Sequence, residues 1–173
     1  MKNPKPLFKE KGKWKDSDYE LELHSLNDHC DLSQVDQIQA VCFLDSNNIV
    51  FYKNIEGYLG NPGGTIEKGE SIEETITREL IEEAQLKLID WKTIGFEEVF
   101  YPNKLESKKK SCFLRIVAKV ELIDKPINDP DGKAIGRVVV KVDQAAKKLN
   151  WGEKGEKLIE LGRNKYIQTW GEK

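Results

Sequence analysis

The sequence predicts an α/β fold of two or three layers, and three observations carry that reading. Short runs rich in β-branched and aromatic residues recur at 38–44, 49–52, 94–101, 112–122 and 138–142. An amphipathic helix pattern interrupts them after Gly69, and a second helical pattern occupies residues 156–170. Strands interleaved with helices, with a helix near the C-terminus, give a sheet covered by helices.

The length, 173 residues, suits one domain with a proper core. Hydrophobic content of 38% against 34% charged describes a polar globular chain. No apolar run approaches a membrane span, and the N-terminus lacks a signal-like apolar stretch. Three cysteines, Cys30, Cys42 and Cys112, make an odd set at irregular spacing, so no disulfide framework is expected. A reducing cytoplasm is the compartment that this predicts. There is no internal repeat.

Residues 1–35 read as a partly ordered N-terminal extension. Its first fifteen residues are rich in lysine and proline, with Phe8 and Trp14 as the bulky anchors. An arm packing an aromatic on the domain is preferred over a nucleic-acid contact. His24, His29 and Cys30 invite a zinc reading but lack a fourth ligand, so a surface turn is expected instead. Residues 38–44 and 49–52 then form a hairpin through the Asp45-Ser46-Asn47-Asn48 turn. Cys42 within it reads as a small core residue.

Asn61-Pro62-Gly63-Gly64 is a tight loop with exposed backbone. Ser71 followed by Glu74 is a capping box, which starts a helix at about Ile72. Helical spacing puts Ile76, Leu80, Ile81 and Ala84 on one side and Glu79, Glu82 and Glu83 on a neighbouring arc. Arg78 stands four residues before Glu82 and can pair with it. From Gly63 to Leu86 the chain carries seven glutamates against Lys68 and Arg78, a local charge of −5, while the whole chain is −2. Like charges three and four apart repel, so such a helix calls for a cation. A glycine loop facing three helical carboxylates is an all-oxygen site suited to Mg²⁺ or Mn²⁺.

The spacing Gly64, five residues, Glu70, seven residues, Arg78-Glu79-Leu80-x-Glu82-Glu83-x-x-Leu86 resembles the Nudix box. That box marks enzymes cleaving nucleoside diphosphates linked to another moiety. One position departs: the family's penultimate glycine is Gln85 here, and it is expected at a helix C-terminus with positive φ. Asn61 stands where the family usually has an aliphatic residue. The resemblance implies an α/β/α sandwich around a mixed sheet, in a domain at residues 36–173. It also implies that Glu79, Glu82 and Glu83 bind metal with the Gly63 carbonyl, that Arg78 orients a glutamate, and that Glu70 ties loop to helix. The general base varies among relatives and is assigned here to Glu79. Glu98, in the strand beyond the helix, reads equally as a further metal ligand or base and as a solvent-facing residue.

Tyr58, Phe96, Phe100 and Tyr101 are candidates for stacking on a base, each also readable as core. Lys104, Lys108, Lys109 and Lys110 read first as a solvated loop and second as phosphate contacts. Residues 127–132 are a turn-rich break, and Asp143 is read as the cap of a helix reaching Leu149. The function so implied is Mg²⁺-dependent hydrolysis of a nucleoside triphosphate or modified nucleotide, a small-molecule substrate. Two alternatives remain: a silent nucleotide-binding or regulatory module, and an isomerase of isopentenyl diphosphate, which needs a placed cysteine.

Overall fold

The structure is a computed structural model, and it describes residues 5–14, 16–25, 32–105 and 110–171. His29, Cys30, Lys108 and Lys109 lie outside the described residues. The elements in chain order are β1 (Phe8–Trp14), β2 (Ser17–Ser25), β3 (Val35–Asp45), β4 (Asn48–Asn54), β5 (Leu59–Gly60) and β6 (Gly63–Thr65). There follow α1 (Ile72–Ala84), β7 (Leu86–Phe100), β8 (Lys110–Leu122), β9 (Ala134–Lys141), α2 (Val142–Leu149) and α3 (Gly152–Trp170).

One mixed sheet holds every strand of the described residues. Its order is β1-β2-β7-β8-β3-β4-β5, with β6 paired to β3 and β9 to β4. Among the described residues only β3 and β8 run parallel; the other pairings are antiparallel. The alternation of β3 divides the core. Ile38, Ala40 and Cys42 face α1 with Ile76, Leu80, Ala84 and Ile116. Val41 and Phe43 face α2 and α3 with Leu149, Leu158 and Tyr166. This is the α/β/α sandwich implied by the sequence.

Local chemistry explains the helix ends. Ser71 and Glu74 form the full capping box, and α1 starts at Ile72 as expected. At its other end Gln85 takes the left-handed conformation, φ 48 and ψ 56. Arg137 from β9 donates to the carbonyls of Ala84 and Gln85, placing a cation at the negative end of the helix dipole. In α2 the cap position is Lys141, without a side-chain cap bond, and Asp143 falls inside the first turn. The long α3 runs through Gly162, where a β-carbon would stand 3.2 Å from Val41. That glycine lets the helix approach the sheet, so it assists the packing rather than weakening the helix.

The N-terminal stretch differs from the expected arm. β1 pairs antiparallel with β2, and β2 pairs with β7 from Glu20 opposite Phe100 to Ser25 opposite Gly95. Leu21 and Leu23 supply buried contacts. Alternation is present in β2, but Asp18, Glu20 and Glu22 lower the mean hydropathy and hide it. Among the described residues, no helix is long and apolar enough to cross a membrane.

Candidate active site

The acidic site is assembled on α1 and fastened by its arginine. Arg78 donates to Glu70 through Nε at 2.8 Å and a terminal nitrogen at 3.0 Å. The same guanidinium reaches Glu79 at 2.8 Å, Glu82 at 3.5 Å and the Thr65 carbonyl at 3.2 Å. One planar group with five donors thereby fixes the loop before the helix and two of the three carboxylates. Glu70 also accepts from Thr75 and from the Glu67 backbone. The Arg78 bond holds the Glu70 carboxyl down at about 2.

Two close approaches define the loop. Gly63 N–H donates to Glu83 Oε2 at 2.9 Å, while a β-carbon at Gly63 would meet the Ile38 carbonyl at 2.1 Å. At Gly64 a β-carbon would stand 2.0 Å from Glu79 Oε1. Gly63 is therefore required by contact with backbone, while a side chain at Gly64 would displace the Glu79 carboxylate.

Burial makes the carboxylates costly. Desolvation pushes the Glu83 carboxyl up to about 8, against the Gly63 hydrogen bond, with Glu79 and Asp129 adding to the rise. Glu79 is also raised by desolvation, opposed by Arg78 and reinforced by Glu82 and Asp129. Tyr52 is pushed to about 12, mainly by burial and then by Glu83, Asp129 and Glu79. Arg78 and Lys133 thus stand as two positive charges against Glu79, Glu82, Glu83 and Asp129. Such an anionic, all-oxygen donor set fits a hard divalent cation.

Asp129 is the residue that sequence reading missed. Its carboxylate is held by the backbone N–H groups of Asp131, Lys133 and Ala134, in the loop between β8 and β9. Residues 127–132 had only the signature of a turn, and Asp129 does form one. Nothing local says that this turn faces Glu79 and Glu83.

Glu98 is 66% exposed, the solvent-facing one of its two readings. Alternation along β7 turns it away from Glu97, opposite Glu22 and Cys112. It joins Glu22 and buried His24 in a separate group, with His24 Nε2 3.4 Å from Glu22 and 3.7 Å from Glu98. Tyr58 is 65% exposed in the turn before β5 and does not line the cleft described next. Phe96 is buried and stacks on His24 at 5.0 Å between ring centroids. Lys104 lies 3.9 Å from the centroid of the Tyr101 ring. Cys42 is wholly buried under α1, its thiol pushed up by desolvation, so it is not placed for the proton transfer of an isomerase.

Tyr101 is brought to a cleft of about 580 Å³ on the α3 side of the sheet. Its other lining residues include Gly63, Phe113, Arg115, Trp151 and Glu97. Through Gly63 the cleft adjoins the carboxylates of α1.

Comparison with known proteins agrees with this geometry. The profile of the family described as NUDIX domain matches residues 37–161. A Bacillus subtilis pyrophosphohydrolase, BsRppH, is similar in structure with TM-score 0.70 and 16% identity, covering 96% of this chain and 100% of that one. A NUDIX hydrolase from Nitrosomonas europaea gives 0.59 and 16%, over 76% of this chain and 90% of its own. A MutT NUDIX hydrolase from Burkholderia pseudomallei gives 0.52 and 17%, over 72% and 95%. No curated protein matches the chain significantly. The chain belongs to the NUDIX domain family.

Proposed function

We propose that the chain is a Mg²⁺-dependent pyrophosphohydrolase, with Mn²⁺ able to substitute, acting on a nucleoside triphosphate or modified nucleotide. The observation that carries this reading is the placement of Glu79 and Glu83 against the Gly63-Gly64 loop, both partly desolvated and both raised further by the charge of Asp129. Glu79, Glu82 and Glu83, with the Gly63 carbonyl, are the residues to hold the cation. A bound divalent ion would acidify water and offset the charge that develops on the phosphate groups.

The chain's own groups supply position and proton handling. Arg78 keeps Glu79 and Glu82 oriented, and Gly63 N–H keeps Glu83 in place. Glu79 is the proposed acceptor for the proton of the attacking water, which adds to phosphorus as the anhydride oxygen leaves. The nucleoside would sit in the adjoining cleft, directing its phosphates past Gly63.

The test is phosphate or pyrophosphate release from a panel of nucleoside triphosphates, dinucleoside polyphosphates and nucleotide sugars. Activity with Mg²⁺ or Mn²⁺ and its loss in EDTA are expected. No turnover across the panel would overturn the proposal and bring forward a silent nucleotide-binding module.

A further inference from the structure

On the face of β7 opposite the cleft, three metal-ligating side chains converge. Glu22 and His24 lie two residues apart on β2 and so share a face, and Glu98 on β7 stands directly opposite Glu22. His24 Nε2 is 3.4 Å from Glu22 and 3.7 Å from Glu98, and the donor atoms of all three lie within 4.8 Å of one another. Like charges directly opposite on neighbouring strands repel, so this pair of carboxylates calls for a cation. Lys9, opposite Glu22 on β1, engages one Glu22 oxygen and leaves Oε2 turned toward His24.

The strands hold these donors in place. His24 is buried and stacks on Phe96, its cross-strand neighbour, at 5.0 Å and 13° between ring planes. Its backbone is pinned as well, since a β-carbon at Gly95 would stand 2.4 Å from the His24 carbonyl. The carboxylates are the movable members, with side chains 38% and 66% exposed. They cover Nε2 and are themselves open to solvent, so an ion enters as they swing aside and settles between the three donors. In a tetrahedral zinc site, Zn–N and Zn–O bonds of about 2.0–2.2 Å set neighbouring ligand atoms about 3.3–3.5 Å apart. The observed 3.4 and 3.7 Å lie close to that spacing. Octahedral Mg²⁺ sets its ligands about 2.9 Å apart and prefers oxygen throughout. An imidazole joined by two carboxylates therefore suits Zn²⁺.

We propose that Glu22, His24 and Glu98 bind Zn²⁺, with water as the fourth ligand, and that the ion fastens β2 to β7. This goes beyond the hydrolase reading and does not depend on it. Along the paired residues Gly64, Ile38, Leu114, Phe96 and His24, the zinc site lies four strand spacings, about 19 Å, from the loop that touches Glu79. The two sites are thus separate. Two carboxylates and Zn²⁺ sum to zero charge around a neutral imidazole, which removes the repulsion between Glu22 and Glu98. Because β1 joins the sheet through β2, a link between β2 and β7 secures both strands. The competing arrangement is a protonated His24 paired with the two carboxylates, which leaves no place for the ion.

The experiment titrates Zn²⁺ into the full chain after metal removal, against a chromophoric chelator and with Mg²⁺ in excess to fill the α1 carboxylates. Binding of Zn²⁺ is expected, with a rise in melting temperature. Co²⁺ in its place should give the strong visible absorption of tetrahedral coordination. Glu98→Gln, at an exposed position, should weaken Zn²⁺ binding at least about tenfold and abolish the melting shift, and His24→Gln should do the same. Glu83→Gln, which removes a carboxylate of α1, should keep both. Three results overturn the proposal: no Zn²⁺ bound in excess Mg²⁺, parent-like binding in Glu98→Gln, or loss of binding in Glu83→Gln, which would place the ion on α1. An octahedral Co²⁺ spectrum overturns it too. Should His24→Gln fail to fold, Glu98→Gln decides. Each readout is independent of nucleotide turnover, so the hydrolase reading stands or falls separately.

Discussion

A β-carbon on Gly64 would stand 2.0 Å from Glu79 Oε1, so the loop and the helix carboxylate occupy mutually exclusive space beyond a hydrogen atom. Glu79 is simultaneously held by Arg78 at 2.8 Å, which leaves its carboxylate little room to retreat. Gly64→Ala is therefore expected to displace Glu79 while leaving the core intact. Turnover should fall by at least about a hundredfold, on the scale of a misplaced catalytic group. Circular dichroism should show a folded protein. Parent-like activity in the alanine variant would show that Glu79 has no catalytic role.

Arg78→Lys tests the fastening of the site without changing charge. A lysine ammonium cannot reach Glu70, Glu79 and the Thr65 carbonyl in the forked geometry of the guanidinium. A fall in kcat of at least about tenfold is expected, with a lower melting temperature. Full activity in the lysine variant would mean that charge alone, not the fork, sets the site.

Gln85 combines strain with compensation. Its left-handed backbone favours glycine, by about 1 kcal/mol. Its side chain, however, is buried and donates from Nε2 to the Ile81 carbonyl at 2.9 Å. Gln85→Gly should thus be nearly neutral, relief of strain offsetting a lost bond of about 1 kcal/mol. Gln85→Ala loses the bond and keeps the strain, so its cost should be about 1 kcal/mol greater than that of glycine. Thermal melts of the two variants give the comparison, and an alanine variant as stable as the glycine one contradicts it.

Glu83 gives the metal-free protein a pH dependence of known sign. Its folded carboxyl titrates near 8, above the ordinary 4.5, so the folded state holds a proton that the unfolded chain releases. Stability in EDTA should fall as pH rises from about 4.5 to 8, by roughly 1–4 kcal/mol from this group. Glu83→Gln removes that slope and should equal or exceed the parent at pH 8 without metal. Saturating Mg²⁺ should reverse the ranking, because the parent gains binding energy that the variant largely lacks. Turnover of the variant should drop by at least about a hundredfold. Melts across pH with EDTA and with Mg²⁺ test each limb, and a variant less stable in EDTA yet fully active makes Glu83 structural.

The sequence by itself determined what is local in the chain. Ser71 and Glu74 started α1 where the capping box put them, because both partners lie within one turn. The helical period set Glu79, Glu82 and Glu83 on one arc beside the apolar Ile76 and Leu80. Gln85 took positive φ at the end of that helix. Only the tertiary structure decided what depends on register and on loops meeting across the sheet. Asp129 lies near enough to Glu79 and Glu83 for its charge to raise both carboxyls, a proximity no local pattern encodes. Glu97 and Glu98 are neighbours of the same charge, and their composition gives each an equal claim to a site. The pleat of β7 buries one against Arg115 and sends the other to His24, since successive side chains leave a strand on opposite faces. Which face is inside was fixed by the pairing of β7 with β2 and β8, and pairing is a property of three strands together.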